Sequence, residues 1–133
     1  MKYPQVHILD SIAWGPYKVS LREDGIMQVE IEPEQEVTID NVKEIIEAIG
    51  KLGNRNKYPV LVLPGEYTLP TPEARLFIAS PGNPYALAEA YLTHSLPQKL
   101  VGNFFLQFNK PERPTRMFSK YEEALEWLNS ISG

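Results

Sequence analysis

Ser95-Leu96-Pro97-Gln98-Lys99-Leu100-Val101-Gly102-Asn103-Phe104-Phe105-Leu106-Gln107-Phe108 is the stretch on which the fold turns. Its apolar residues at 96, 100, 101, 104, 105 and 108 recur at helical spacing, and Ser95 with Gln98 makes a capping box at its start. The spacing predicts a helix from Leu96 to about Asn109. Thr115-Arg116-Met117-Phe118 follows as a short strand, and Ser119-Lys120-Tyr121-Glu122 opens a second amphipathic run over residues 120–131 on another capping box. Tyr121, Ala124, Leu125, Leu128 and Ile131 share one side of that run, with Trp127 beside them. Helices alternating with strands are the pattern of a layered α/β domain.

Upstream, Tyr17-Lys18-Val19-Ser20-Leu21-Arg22 and Met27-Gln28-Val29-Glu30-Ile31 alternate apolar and polar around an Asp24-Gly25 turn, which reads as an antiparallel hairpin. Val6-His7-Ile8-Leu9 adds an edge strand. Thr38 or Asp40 caps a helix with Ile39, Val42, Ile45, Ile46, Ile49 and Leu52 on one face, and Gly53 reads as its left-handed stop. Pro59-Val60-Leu61-Val62-Leu63 is apolar on both faces, as a central parallel strand must be. Thr71-Pro72-Glu73 starts a short helix carrying Ala74, Phe77 and Ile78, which Pro81-Gly82 ends.

Ala86-Leu87-Ala88-Glu89-Ala90-Tyr91-Leu92-Thr93 is a contest between two rules. Propensity favours helix. Position favours strand, because a β–α–β crossover from residues 60–63 should deliver a parallel neighbour here. Strand over residues 87–93 is the reading adopted. The whole is then an α/β (α+β-like) fold in one domain over residues 1–133: a mixed sheet of four to six strands, an antiparallel hairpin first and parallel β-α units after it, with about four helices.

The chain has 133 residues, 13 basic and 17 acidic side chains, a net charge of −4 and no cysteine. The acidic balance speaks against nucleic acid, which asks for a basic stripe. Lys99, Lys110, Arg113, Arg116 and Lys120 do gather, but Glu112, Glu122 and Glu123 dilute them into an ordinary solvated surface. Without cysteine there is no disulfide, thiolate nucleophile or cysteine-held metal. Met1-Lys2-Tyr3-Pro4-Gln5-Val6-His7 lacks the apolar run of a signal peptide, and no stretch reaches the roughly 20 apolar residues of a membrane helix. The expectation is a soluble, cytoplasmic protein without membrane insertion.

With this layout in place, the chain resembles the SpoIIAA-like fold family, which includes the STAS domains, and more narrowly a group of small uncharacterised bacterial proteins labelled STAS/SEC14. Lys57-Tyr58-Pro59-Val60-Leu61-Val62, Glu73-Ala74-Arg75, Gly102-Asn103-Phe104-Phe105, Pro114-Thr115-Arg116-Met117-Phe118 and Glu123-Ala124-Leu125-Glu126-Trp127-Leu128 carry the likeness. The resemblance implies a mixed sheet of four or five strands with helices packed on it. It also implies a place for a phosphoacceptor, since signalling members take phosphate on a serine or threonine after the central strand and so control binding to an anti-sigma kinase. Here Thr71 is nearest by position and Thr68 is the other hydroxyl, in a loop without the usual Asp-Ser-like turn.

Each candidate has a plainer reading beside it. Thr71 serves a helix cap worth about 1 kcal/mol as readily as it would take phosphate at a helix N-terminus. His7 and His94 have no ligand-spaced partner, so no metal motif exists; His94 is a surface or loop histidine before it is a catalytic base. Asn103 reads as partly buried and bonded to a loop carbonyl within residues 64–72. Arg75 and Arg116 could hold an anion or pair with Glu73, Glu112 or Glu122. Ser80 and Ser95 lack a nucleophile elbow, and the scattered glycines make neither a phosphate loop nor a dinucleotide fingerprint. Phe104, Phe105 and Phe108 read as core residues before they read as the lining of a lipid cavity.

No catalytic, cofactor or metal residue is therefore expected. The primary reading is a non-enzymatic STAS-like module that contacts a protein partner or a second copy of itself. The alternative is a domain that binds a small hydrophobic ligand or lipid. Thr71 and Thr68 are the candidate phosphoacceptors; Arg75, Asn103, Arg116 and His94 are the candidate contacts.

Overall fold

Three antiparallel strands open the fold: β1 (Ile8–Trp14), β2 (Tyr17–Arg22) and β3 (Met27–Ile31). The structure is a computed structural model and describes residues 6–131, so the signal-peptide reading of residues 1–5 falls outside it. The edge strand is longer and later than residues 6–9. It runs to Trp14, where Gly15 at φ +47° makes a two-residue turn and Trp14 pairs with Tyr17. An edge strand is held by its backbone ladder, so Asp10, Ser11 and Ala13 can face solvent without breaking it.

β4 (Glu36–Val37) leads into α1 (Ile39–Leu52), capped by Thr38, whose hydroxyl accepts from the Asn41 backbone N–H. Gly53 is not the left-handed stop: its φ is −87°, and the positive φ values fall on Asn54 and Arg55. Glycine is needed there for another reason, since a Cβ would come 2.7 Å from the Tyr58 ring. β5 (Tyr58–Pro64), β6 (Leu69–Pro70), α2 (Pro72–Ala79) and β7 (Ala86–Leu92) follow. The short strands β4 and β6 pair in parallel as a separate two-stranded sheet, a feature too brief to leave a hydrophobic period. α3 (Leu96–Phe104) continues into a π-helical turn (Phe105–Asn109), and β8 (Thr115–Phe118) and α4 (Tyr121–Asn129) complete the order.

The main sheet has six strands in the order β1-β2-β3-β5-β7-β8, antiparallel as far as β3 and parallel beyond it. Position thus overrode propensity at β7, which lies between β5 and β8. α4 covers one face with Leu128 and Ala124 against Leu61, Leu63, Ala88, Ala90 and Phe118. α1 and α2 pack on the opposite face through Val42, Ile45, Ile49 and Ala74, against Val29 and Val60.

The expected capping box of the last helix is absent. Lys120 is its N-cap and makes no side-chain bond. A tertiary tie replaces it: buried Arg22 grips Asp24 with Nε and Nη2 at 3.1 and 2.8 Å and donates to the Tyr121 hydroxyl at 2.8 Å. Among the described residues no helix is long and apolar enough to cross a membrane.

Candidate functional site

β7 separates two environments. A register shift against β5 near Leu87 sets Ala88, Ala90 and Leu92 toward α4, which leaves Glu89 and Tyr91 on the face toward α1–α3. On that side an apolar cavity of about 140 Å³ remains between the sheet and the helices. Val62 of β5, Ile45 of α1, Ile78 of α2, Val101 of α3, Phe105 of the π-helical turn, and Met117 of β8 are among its walls. Gly102 seats α3 against the sheet, because a Cβ there would already touch Met117 at 3.0 Å.

One polar group of the cavity is a buried carboxyl. Glu89 is only 4% exposed; its Oε1 accepts from the Tyr91 hydroxyl at 3.1 Å and stands 3.6 Å from Arg113 Nη1. Arg113 in turn donates to the carbonyls of Ile78 and Pro81, both at 2.8 Å. It lies across Gly82, whose φ of +68° and lack of a Cβ leave room for the guanidinium. Burial pushes the Glu89 carboxyl above its ordinary range, with Arg113 and Tyr91 opposing the shift. Burial, then the Glu89 charge, holds the Tyr91 phenol well above its own.

The second polar feature closes the carboxyl end of the strands. Gln98, 4% exposed, donates from Nε2 to Gly65 O at 2.8 Å and Thr68 O at 3.1 Å, and its Oε1 accepts from the His94 backbone N–H at 2.7 Å. This is the bond to a loop carbonyl expected of Asn103. Asn103 is instead exposed, five residues further along α3.

The other candidates divide. Arg75 lines the cavity, donates from Nη1 to Pro70 O at 3.1 Å and lies 5.8 Å from the Phe104 ring centre. Thr71 caps α2, accepting from the Ala74 N–H at 3.1 Å. Thr68 is buried, donating to Glu32 O at 2.6 Å and accepting from the Gln35 N–H at 3.1 Å. His94 sits half-buried between β7 and α3. Arg116 is apart from all of these, exposed on the α4 side over the rings of Phe118 and Trp127 at 5.0 and 5.7 Å. Ser80 donates to the Glu112 carboxylate on the surface, and Ser95 caps α3.

The phenylalanines do not share one interior. Phe105 is buried, but Phe104 and Phe108 are 47% and 62% exposed, and their ring centres are 4.7 Å apart. Residues four apart share one face of a helix, so Phe108 follows Phe104 on the same side. Leu96, Leu100, Phe104 and Phe108 thus form an outer ridge, while Val101, Gly102 and Phe105 of the same segment face the cavity.

Glu89, Tyr91, Arg113 and Gln98 are residues of the candidate site that sequence reasoning missed. Glu89 carries a signal in retrospect: it is the only charged residue in a strand covered on both faces. Arg113, between Pro111 and Pro114, carries none.

The crystal structure of an uncharacterised protein of the DUF3478 family, from Shewanella loihica PV-4, is similar to this chain. It has a SpoIIAA-like fold, superposes with a TM-score of 0.55 at 10% identity, and the match covers 96% of this chain and 98% of that one. At that identity the likeness speaks for the fold alone: it is SpoIIAA-like as the resemblance implied, with six strands in the mixed sheet where the resemblance implied four or five, and four helices. No curated protein matches the chain significantly. The family model of DUF7793, a domain of unknown function, matches residues 19–132, from β2 through α4, and the chain belongs to that family.

Proposed function

We propose that this chain is a non-enzymatic binding module that docks a protein partner on the outer ridge of α3. The observation that carries the reading is the exposure of Leu96, Leu100, Phe104 and Phe108, at 68, 59, 47 and 62%. Single exposed apolar residues are ordinary, whereas an aligned row over about three turns marks a surface that something covers. Residues 95–111 contain Lys99 and Lys110 and no acidic residue, so the fitting partner has an apolar face with an acidic rim. In two-fold self-docking each patch meets its own copy, which would set one lysine-flanked ridge against another. A different protein suits the ridge better. The polar groups beneath it are engaged in holding structure: Gln98 and Arg113 bind backbone carbonyls, and Thr68 binds the 32–35 segment.

The test is capture from native lysate followed by reconstitution with the purified partner, using wild type and a Leu96→Ser/Leu100→Ser double variant. The double variant should lose the partner while its unfolding free energy moves by no more than about 0.5 kcal/mol per site. A ridge-dependent dimer in light scattering would replace the partner with a second copy. Ridge-dependent binding to anionic vesicles without any protein partner would overturn the reading.

A second reading, a site for a small apolar ligand, is favoured by the cavity itself. Protein interiors leave few voids larger than a water molecule, and about 140 Å³ is several times that size.

A further inference from the structure

Arg75 and Arg113 are both arginines of the α1–α3 face, and their surroundings differ. Arg113 has Glu89 beside it. Arg75 lines the cavity with no carboxylate oxygen within 4.0 Å among the described residues. Its Nη1 is used by the Pro70 carbonyl, and Phe104 lies across the guanidinium. Its Nε is buried with no hydrogen-bond partner. A buried donor on a charged group is costly to leave unmade, more so where the surroundings are apolar. The bond to Pro70 leaves the Nε/Nη2 edge of the fork, and that edge takes a carboxylate in two parallel bonds.

We propose that the cavity is a site for a small monocarboxylic acid, its carboxylate held by Arg75 and its apolar body lying among Val62, Ile78 and Val101. The inference rests on the second reading above, that the cavity holds a ligand, and adds the ligand's class. The volume sets the size. A cavity of about 150 Å³ in another protein accepts benzene, so about 140 Å³ suits a body of roughly six to eight non-hydrogen atoms and holds only part of a long acyl chain. Glu89 does not oppose the anion as a free charge would, because Arg113 and the Tyr91 hydroxyl both engage it. The ligand's carboxylate supplies the opposite charge that no described residue brings within 4.0 Å of Arg75, and its body displaces no satisfied polar group from the aliphatic walls.

Calorimetric titration and backbone amide spectra with hexanoate, hexan-1-ol and palmitate test this on wild type, Arg75→Met and Arg75→Lys. Wild type should bind hexanoate at least 10-fold more tightly than hexan-1-ol. Arg75→Met should lose at least 10-fold for hexanoate with hexan-1-ol unchanged, and Arg75→Lys should recover part of the loss. Should Arg75→Met not fold, the wild-type ratio of acid to alcohol and the Arg75→Lys affinity decide the matter by themselves. Equal binding of acid and alcohol would overturn the carboxylate assignment and leave the cavity reading standing, whereas palmitate binding more tightly than hexanoate would overturn the size of the proposed ligand. Binding of neither C6 probe, with xenon also excluded, would remove the cavity reading and this inference with it.

Discussion

The two faces of β7 are finished in opposite ways. Toward α4 it presents Ala88, Ala90 and Leu92, and α4 answers with Ala124 and Leu128, none more than 2% exposed. Small residues on both sides let the helix lie close to the sheet and close the gap between them. Toward α1–α3 the same strand presents Glu89 and Tyr91, and there a cavity stays open. The Glu89 carboxyl there accepts from the Tyr91 hydroxyl and stands 3.6 Å from Arg113, so polar groups take places that alanines hold on the other face. The pleat of one strand therefore keeps a tightly packed face apart from a face that leaves a cavity.

The largest effect that would sharpen the contrast is Leu128→Ala. Leu128 is fully buried on the closed face, so its truncation should cost about 2–5 kcal/mol, read from urea unfolding. A loss no greater than that of an exposed residue would mean the α4 face is not the firm one. A middle-sized contrast comes from adding volume to each face in turn. Ala88→Leu has no room to grow and should cost about 1–3 kcal/mol, whereas Val62→Leu grows into the cavity and should stay within about 1 kcal/mol of wild type. Equal penalties would show the cavity to be closed in solution.

The smallest effect concerns pH. The Glu89 carboxyl titrates above its unfolded value of 4.5, so between that value and its folded pKa the native state binds more protons than the unfolded chain. Stability contributed by Glu89 is therefore fully present below about pH 4.5 and declines as pH rises through the folded pKa. Relative to Glu89→Gln, wild type should lose stability over that range in unfolding curves measured at a series of pH values. A difference that stays flat, or that grows with pH, would contradict the buried and desolvated carboxyl. The slope should be modest, since Arg113 and Tyr91 work against the burial.

Much of this architecture is legible in local pattern. Alternation around Asp24-Gly25 marks β2 and β3, and helical spacing marks α1, α3 and α4, because one-sided burial imprints its own period on the chain. β7 is settled by where a crossover must return, against the preference of Ala, Leu and Glu for helix. The boundary of β1, the stop of α1 and the cap of α4 differ from what local pattern predicts. Each depends on a contact from elsewhere in the chain: the β2 ladder, the Tyr58 ring against Gly53, and Arg22 on Tyr121.

The site is less legible. Arg75, a candidate from sequence, does line the cavity, but Arg116 lies on the opposite face and Asn103 is exposed. Glu89 and Arg113 are 24 positions apart and Gln98 and Gly65 are 33 apart, so no local spacing announces either bond.

By itself the amino-acid order determined which segments coil, which extend, and that strands and helices must layer, because period and propensity act over a few neighbouring residues. It also determined the charge balance and the absence of thiol chemistry. Only the folded arrangement decided which side of α3 is buried, that a cavity stays open under it, and that among the described residues Arg113 rather than Arg75 has a carboxylate within 4.0 Å. Those are properties of what lies within a few ångströms in space, and sequence distance says nothing about them.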